Sequence, residues 1–360
     1  MDRAIAASPG RGKRKTAEQK SRTDLIELPC CEFPGPRGPA ARPETCTSMK
    51  PSTSDLEAAY SACRRMARRH YENFPVASLL VPRDKRDALA AIYAFARAAD
   101  DFADEPGVEG RLEKLADWRH KLYECTEGEA GHPTFIALGD TIRKHRLSVS
   151  NLDNLLRAFE MDVTVNRHRN FDSLLQYSSY SANPVGRLML ELFDHRNPEL
   201  FALSDNICTA LQLTNFWQDV RIDLERDRVY LPLDDLAHFD LSVDILKHWK
   251  LDNRATEDAG MEVRWRGLMA LEAERTWKLF MTGKPLPERV VPQLRRQLRL
   301  TWLTGTLILS RIEAVGYDVF DRRPKLKAFD FVRLYFKARR PITSEVAEGG
   351  GGVAAGSEHQ

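Results

Sequence analysis

Between residues 53 and 338, apolar positions recur every three to four residues almost without a break. That is the period of helices buried along one face. Ser54 or Asp55 can cap a first helix that ends at Arg69, and Pro82 starts a second that runs through Asp104 and stops at Pro106-Gly107. The same spacing predicts helices over Glu109–Cys125, His132–Lys144, Ser150–Asn166, Phe171–Leu192, Ser204–Asp223, Leu241–Lys250, Arg254–Phe280 and Leu286–Tyr317. Two-residue alternation rich in β-branched residues, the mark of strands, is nearly absent, and no repeat occurs at solenoid periods. The expected fold is a single all-α domain with a central cavity between helices, because clusters of polar residues interrupt otherwise apolar helices.

The ends read differently. Residues 1–50 carry Pro9, Pro29, Pro34, Pro36, Pro39 and Pro43 with few aliphatic positions, and are expected to be a disordered extension. Its basic run Arg11–Lys15 is a solvated tail or a contact for an anionic surface, and Met49 is an alternative start. The structured domain is expected over 51–338, with a disordered tail over 339–360 that includes Gly349–Gly352. The 54 Lys+Arg nearly balance the 52 Asp+Glu, which gives no electrostatic case for nucleic-acid binding. No apolar stretch reaches the roughly 20 residues needed to span a bilayer, and no hydrophobic signal core opens the chain. The six cysteines are scattered and contain no Cys-x-x-Cys, so reduced thiols in a cytoplasmic protein are expected.

Two polar stripes change the picture. Along Ala90–Asp104, Tyr93, Arg97, Asp100 and Asp104 fall within about a 60° arc at 100° per residue, with Asp101 pointing elsewhere. Along Gln212–Asp223, Gln212, Asn215, Asp219 and Asp223 share about an 80° arc, while Leu213, Phe216, Trp217 and Val220 fill the other faces. Carboxylates at i,i+4 repel one another, and two such pairs inside apolar helices call for positive charge. Arg97 supplies part of it; a hard divalent cation with oxygen ligands supplies more. Mg²⁺ suits this donor set, since it keeps waters and shares oxygens with a diphosphate. The chemistry that follows is ionisation of an allylic or cyclopropylcarbinyl diphosphate.

At these residues the chain resembles the squalene/phytoene synthase family of head-to-head prenyl enzymes. The likeness rests on Ala91-Ile92-Tyr93-Ala94, Arg97 and Asp100-Asp101-Phe102-Ala103-Asp104; on Gln212-Leu213-Thr214-Asn215 with Asp219 and Asp223; and on Arg228-Val229-Tyr230-Leu231-Pro232. Tyr177–Gly186 resembles the family's tyrosine-containing segment that ends in glycine. The likeness covers about residues 55–335 and implies an isoprenoid synthase fold. Within the family, His70–Ser78, Ser181–Gly186 and Asn215–Val220 resemble the bacterial hydroxysqualene synthases of hopanoid biosynthesis. Those take presqualene diphosphate and water to hydroxysqualene and diphosphate. Departures from the condensing members point the same way: His70-Tyr71-Glu72-Asn73-Phe74 in place of His-Ser-x-Ser-Phe, Gln218 for an Arg, Ile222 for an acidic residue, and no tyrosine near Gly305.

The resemblance implies that Asp100, Asp104, Asp219 and Asp223 hold two or three Mg²⁺ ions with the diphosphate. His70, Asn73, Phe74, Arg97, Gln212, Arg228 and Tyr230 are expected at the substrate, with a surface ion pair as the alternative for Arg228 and a buried amide network for Gln212 and Asn215. Tyr93, Tyr177 and Tyr180 either stabilise the cation or simply pack, and Asn183 and Asn215 are candidates to place water. No NADPH is expected, because water capture needs no reductant. The expected partners are a prenyl diphosphate and neighbouring squalene-pathway enzymes, with peripheral contact at the inner face of the membrane. The alternatives are a condensing synthase that joins two farnesyl diphosphates, and a non-catalytic relative acting in binding or assembly.

Overall fold

The computed structural model describes residues 52–69, 81–105, 107–251 and 259–342. Thirteen α-helices occur among them: α1 (Thr53–Arg69), α2 (Arg83–Asp104), α3 (Arg111–Glu127), α4 (Pro133–His145), α5 (Val149–Thr164), α6 (Phe171–Ser181), α7 (Asn183–Leu192), α8 (Pro198–Glu225), α9 (Leu233–His238), α10 (Val243–Lys250), α11 (Ala259–Gly283), α12 (Pro292–Ala314) and α13 (Ala328–Lys337). No strand is present among the described residues; one isolated bridge pairs Arg167 with Val229. The fold is all-α, as the periodicity predicts.

Three of the expected helices differ in their boundaries for a local reason. The expected Phe171–Leu192 helix is two helices, α6 and α7, broken at Ala182. Pro184 lacks the N–H that a continuous helix would use. The expected Leu286–Tyr317 helix is a 3₁₀ turn, Leu286–Arg289, followed by α12, which opens on Pro292. The helix expected from Ser204 starts six residues earlier, where Asn197 accepts a hydrogen bond from the Glu199 N–H (2.8 Å) and Pro198 takes the first turn. Two helices were not expected at all. Helix α9 is too short to show a period, and α13 lies within a run of Lys and Arg.

The packing is organised around α8 and α2. Helix α8 buries residues over most of its circumference, among them Ile207, Ala210, Leu213, Phe216, Trp217 and Val220, and leaves the stripe of Gln212, Asn215, Asp219 and Asp223 partly open. Such a helix belongs at the centre of a core. Around it, α11 and α12 contribute Trp265, Met269, Phe280 and Trp302. A second cluster joins α2 to α3, α4 and α5 through Phe95, Leu115, Trp118, Phe135, Leu152 and Leu156. The small side chains Ala91 and Ala94 let α1 and α4 approach α2, where Tyr60, Cys63 and Ala137 meet them. Gly186 serves α7 in the same way: a Cβ there would lie 2.3 Å from Ser204 Oγ and 2.5 Å from Cys208 Sγ on α8. Cys63, Cys125 and Cys208 are free thiols.

One buried acid makes stability depend on pH. Glu272 on α11 is fully buried, 3.2 Å from Arg275, and its second carboxylate oxygen has no hydrogen-bond partner. Burial pushes its pKa up to about 8 from 4.5, against the pull of Arg275. Between those two values the folded chain holds a proton that the unfolded chain releases, so stability falls as pH rises through this window. Glu272→Gln is neutral to native-like at pH 5 and is expected to raise the melting temperature relative to the native chain at pH 8.5. Thermal unfolding at the two pH values checks this, and an equal shift at both would show that Glu272 stays charged in the fold.

Candidate active site

The two carboxylate stripes meet through one arginine. Arg228 follows α8 in a tight turn: its N–H bonds the Asp223 carbonyl (2.8 Å), and Asp227 before it has φ of 59°. A short polar side chain tolerates that left-handed backbone. Arg167 holds the turn from the other side, donating to the Asp227 carbonyl and carboxylate, and the Val229 N–H bonds the Asn166 carbonyl (3.0 Å). So anchored, the Arg228 guanidinium grips Asp104 at the end of α2 with two hydrogen bonds, 2.5 and 3.1 Å. This ties the first stripe to the segment that leaves the second.

The remaining carboxylates sit in graded environments. Arg97 reaches both Asp100 (3.0 Å) and Asp101 (2.5 Å). Asp101 is thus held by Arg97, although it lies off the stripe that Arg97 shares with Asp100. Asp219 is paired with Arg323, which arrives from the segment before α13. Asp223 is half-buried beside Asp219; burial and that neighbouring charge push its pKa up to about 7, against Arg228 and other arginines. Asp100 is raised as well, first by burial, with Asp104 and Asp101 adding to it and Arg97 opposing. Tyr93 lies near this group and is raised by burial, with Arg97 pulling it down.

An aromatic wall stands beside the charged groups. Tyr230 stacks on Phe216 at 3.7 Å between ring centroids and 6° between planes. Tyr177 lies 6.0 Å from Tyr230 and 6.2 Å from Phe216, and His168 completes the cluster at 5.4 Å from Tyr177. A narrow recess lies here, lined by Phe216, Val220, Asp223, Arg228 and Tyr230. The Tyr177 hydroxyl donates to Asp162 Oδ1 (2.7 Å). Burial pushes the Asp162 pKa up to about 7, while the Tyr177 hydrogen bond and Arg228 pull it down.

Asp162, His168 and Arg323 were not among the residues expected from the sequence. Asp162 had a signal: it continues the buried stripe Leu155–Ala158 of α5 at helical spacing, where a carboxylate is out of place. Arg323 had none, since it precedes Pro324 in a segment without period. Other expected residues have separate partners. Tyr180 lies under the Arg157 guanidinium, 4.3 Å from its ring centroid. Asn183 is buried and accepts a hydrogen bond from Thr209 (2.9 Å). Gln212 is half-buried and Asn215 exposed on α8, so Asn215 is not part of a buried amide network. Gln218 is buried and donates to the Pro324 carbonyl (2.5 Å). His70, Asn73 and Phe74 lie outside the described residues.

The candidate ligands are carboxylate oxygens, and burial and neighbouring carboxylates raise Asp100 and Asp223, a strain on their charged forms that a bound cation would relieve. That donor set fits Mg²⁺. Among the described residues, no three His, Cys, Asp or Glu side chains converge to hold a metal alone. An ion here would draw its remaining oxygens from diphosphate and water.

A family model described as squalene/phytoene synthase matches residues 67–330. The chain belongs to the squalene/phytoene synthase family. Relatives in this family include the phytoene synthase of Arthrospira platensis, 30% identical over 278 residues that make up 73% of this chain and 87% of the relative. The hydroxysqualene synthase of Zymomonas mobilis is 42% identical over 170 residues, covering 45% of this chain and 55% of its own. The crystal structure of squalene synthase HpnC from Alicyclobacillus acidocaldarius superposes with a TM-score of 0.68 at 38% identity, covering 74% of this chain and 97% of that one. The isoprenoid synthase fold implied by the sequence motifs is therefore the fold of this chain, and the protein is an enzyme of the squalene/phytoene synthase family.

Gly305 sits at a close helix contact. A Cβ on Gly305 would lie 2.5 Å from the Leu211 side chain and 2.7 Å from the Phe280 ring. A larger residue there would require the Leu211 and Phe280 side-chain tips to move aside.

Proposed function

We propose that this enzyme is a hydroxysqualene synthase, converting presqualene diphosphate and water to hydroxysqualene and diphosphate in squalene and hopanoid biosynthesis. The observation that carries the reading is the 42% identity to the Zymomonas hydroxysqualene synthase, against 30% to the Arthrospira phytoene synthase. The bond between the substrate carbon and the diphosphate oxygen breaks, and its electron pair leaves with diphosphate. The cyclopropylcarbinyl cation rearranges, a water oxygen adds, and one proton is released. Mg²⁺, when bound by Asp100, Asp104, Asp219 and Asp223, neutralises charge on the leaving group.

The chain's own residues do the rest. Arg228 and Arg97, paired here with Asp104 and with Asp100 and Asp101, would give their guanidinium forks to the departing diphosphate once Asp100 and Asp104 bind metal ions. Phe216 and Tyr230 line the recess with Tyr177 packed beside them, and this aromatic cluster would shelter positive charge. Asp162 fixes the Tyr177 hydroxyl and, with a pKa near 7, is a base of suitable strength to take the proton from the captured water.

The second reading, a condensing synthase acting on two farnesyl diphosphates, draws on the wider span of the phytoene synthase match, 73% of this chain against 45%. One experiment separates them. Purified protein and Mg²⁺ are given presqualene diphosphate or farnesyl diphosphate in separate tubes, without NADPH, and the extracts are analysed by mass spectrometry. Hydroxysqualene from the first and nothing from the second is the expected result. Presqualene diphosphate or dehydrosqualene from farnesyl diphosphate would overturn it.

A further inference from the structure

Helix α13 has two apolar faces, and only one is buried. Asp330, Leu334 and Ala338 face the protein, where the Arg311 guanidinium holds Asp330 with two hydrogen bonds, 2.6 and 2.8 Å. Arg296 and Arg299 donate to the Tyr335 and Arg339 carbonyls (3.2 and 3.3 Å) and fasten the end of the helix to α12. Phe329, Val332 and Phe336 fall within about a 60° arc on the opposite side. They are 73%, 55% and 54% exposed, and Phe331 on the flank is 36% exposed. Two phenylalanines and a valine in one solvent-facing stripe of a firmly docked helix are too much apolar surface to leave unexplained.

The charge around the stripe identifies what it meets. From Arg322 to Arg340 the chain carries eight basic residues, of which Arg322 pairs with Asp318 and Arg323 with Asp219, and one acid, Asp330, which is neutralised by Arg311. Lys325, Lys327, Arg333, Lys337 and Arg340 are exposed, and Arg339 lies over the Phe336 ring at 4.8 Å. The whole chain has a net charge of only +2, so this segment holds a concentrated positive patch. Aromatic side chains on one face, flanked by Lys and Arg, form the pattern of a helix lying in the interface of an anionic membrane. No described helix is long and apolar enough to cross one.

We propose that the Phe329–Val332–Phe336 face of α13 docks the enzyme on an anionic lipid surface, with the phenylalanines among the acyl chains and the basic rim at the headgroups. The same segment reaches back to the active site: Arg323 pairs with Asp219, and the Pro324 carbonyl accepts from Gln218. The lipid-facing helix and the second carboxylate pair are thus joined by a few residues of chain. A long-chain substrate or product dissolved in the bilayer would meet the protein next to the groups that act on its diphosphate.

The test is co-sedimentation of the full chain with vesicles of equal phosphatidylglycerol and phosphatidylcholine, and with phosphatidylcholine alone. The native chain is expected to bind the anionic vesicles, to leave them at high salt, and to ignore the neutral ones. Phe329→Ser with Phe336→Ser, both exposed, should lower binding by at least about tenfold with an unchanged urea midpoint. Arg333→Glu with Lys337→Glu reads the same surface through its charge, and should also lower it if the first pair fails to fold. Undiminished binding by either soluble double variant overturns the proposal. So does light scattering that shows a dimer of the native chain and a monomer of the Phe329/Phe336 variant, because a second copy would then occupy this face. Vesicle binding does not involve the reaction, so it stands or falls separately from the product assay.

Discussion

Asp219→Asn is expected to lower turnover by about 10²- to 10³-fold while leaving the fold intact. The substitution keeps the shape of the side chain and removes one negative charge from the pair it forms with Asp223. Asp219 and Arg323 are both partly exposed, so breaking their ion pair costs little stability. The loss should therefore appear in turnover at saturating Mg²⁺, and not in the urea midpoint. Arg323→Ala provides the control. If Asp219 acts only by holding Arg323, the two variants lose equal activity; if it serves the diphosphate end of the substrate, Asp219→Asn loses much more. Calorimetric titration with Mg²⁺ and pyrophosphate gives a second readout, and retained metal-dependent binding with native turnover would refute the metal assignment.

Trp217→Ala is expected to cost about 3–5 kcal/mol of stability. Trp217 is fully buried where α8 meets α11, and its indole N–H donates to Thr276 Oγ1 at 2.8 Å. The Thr276 hydroxyl in turn donates to the Glu272 carbonyl at 2.7 Å. Truncation opens a large cavity on the core-facing side of the helix and leaves a buried hydroxyl short of a partner. The loss is a large share of the 5–15 kcal/mol that typically holds a domain together. Trp217→Phe, which keeps most of the volume and loses only the N–H, should cost about 1 kcal/mol. Urea unfolding with a constant slope checks both. Similar midpoints for the two would mean that packing at Trp217 contributes little.

The two substitutions show how one helix does two jobs. The face of α8 that carries Trp217 fills the core, and the face that carries Asp219 and Asp223 turns its carboxylates to the candidate site. Both jobs were legible in the residues. Periodicity of 3.6 separates the faces without any knowledge of what lies opposite. The same arithmetic set Asp100, Asp104, Arg97 and Tyr93 on one stripe of α2. Those relations are local, spanning a few turns of a single helix.

What lies across from each stripe is not local, and there the sequence was silent. Nothing in the spacing of Arg228 showed that it would grip Asp104, 124 positions earlier in the chain. That contact depends on a turn held by Arg167 and by the bridge at Val229. Arg323 comes to Asp219 from 104 positions away, through a segment with no period to read. Asp162 was visible as a misplaced carboxylate, but its bond to Tyr177 exists only because α5 and α6 pack together.

The sequence by itself determined the helices, the two carboxylate stripes and, through their order along the chain, the family. Each follows from backbone period and side-chain type, which act over a few residues. Only the tertiary structure decided which arginine neutralises which carboxylate and that Tyr230 stacks on Phe216. It also decided that α13 keeps a second apolar face in solvent. Those outcomes are set by how helices distant in sequence pack, where hydrophobic burial fixes the helices and the charged side chains then pair with whatever lies within reach.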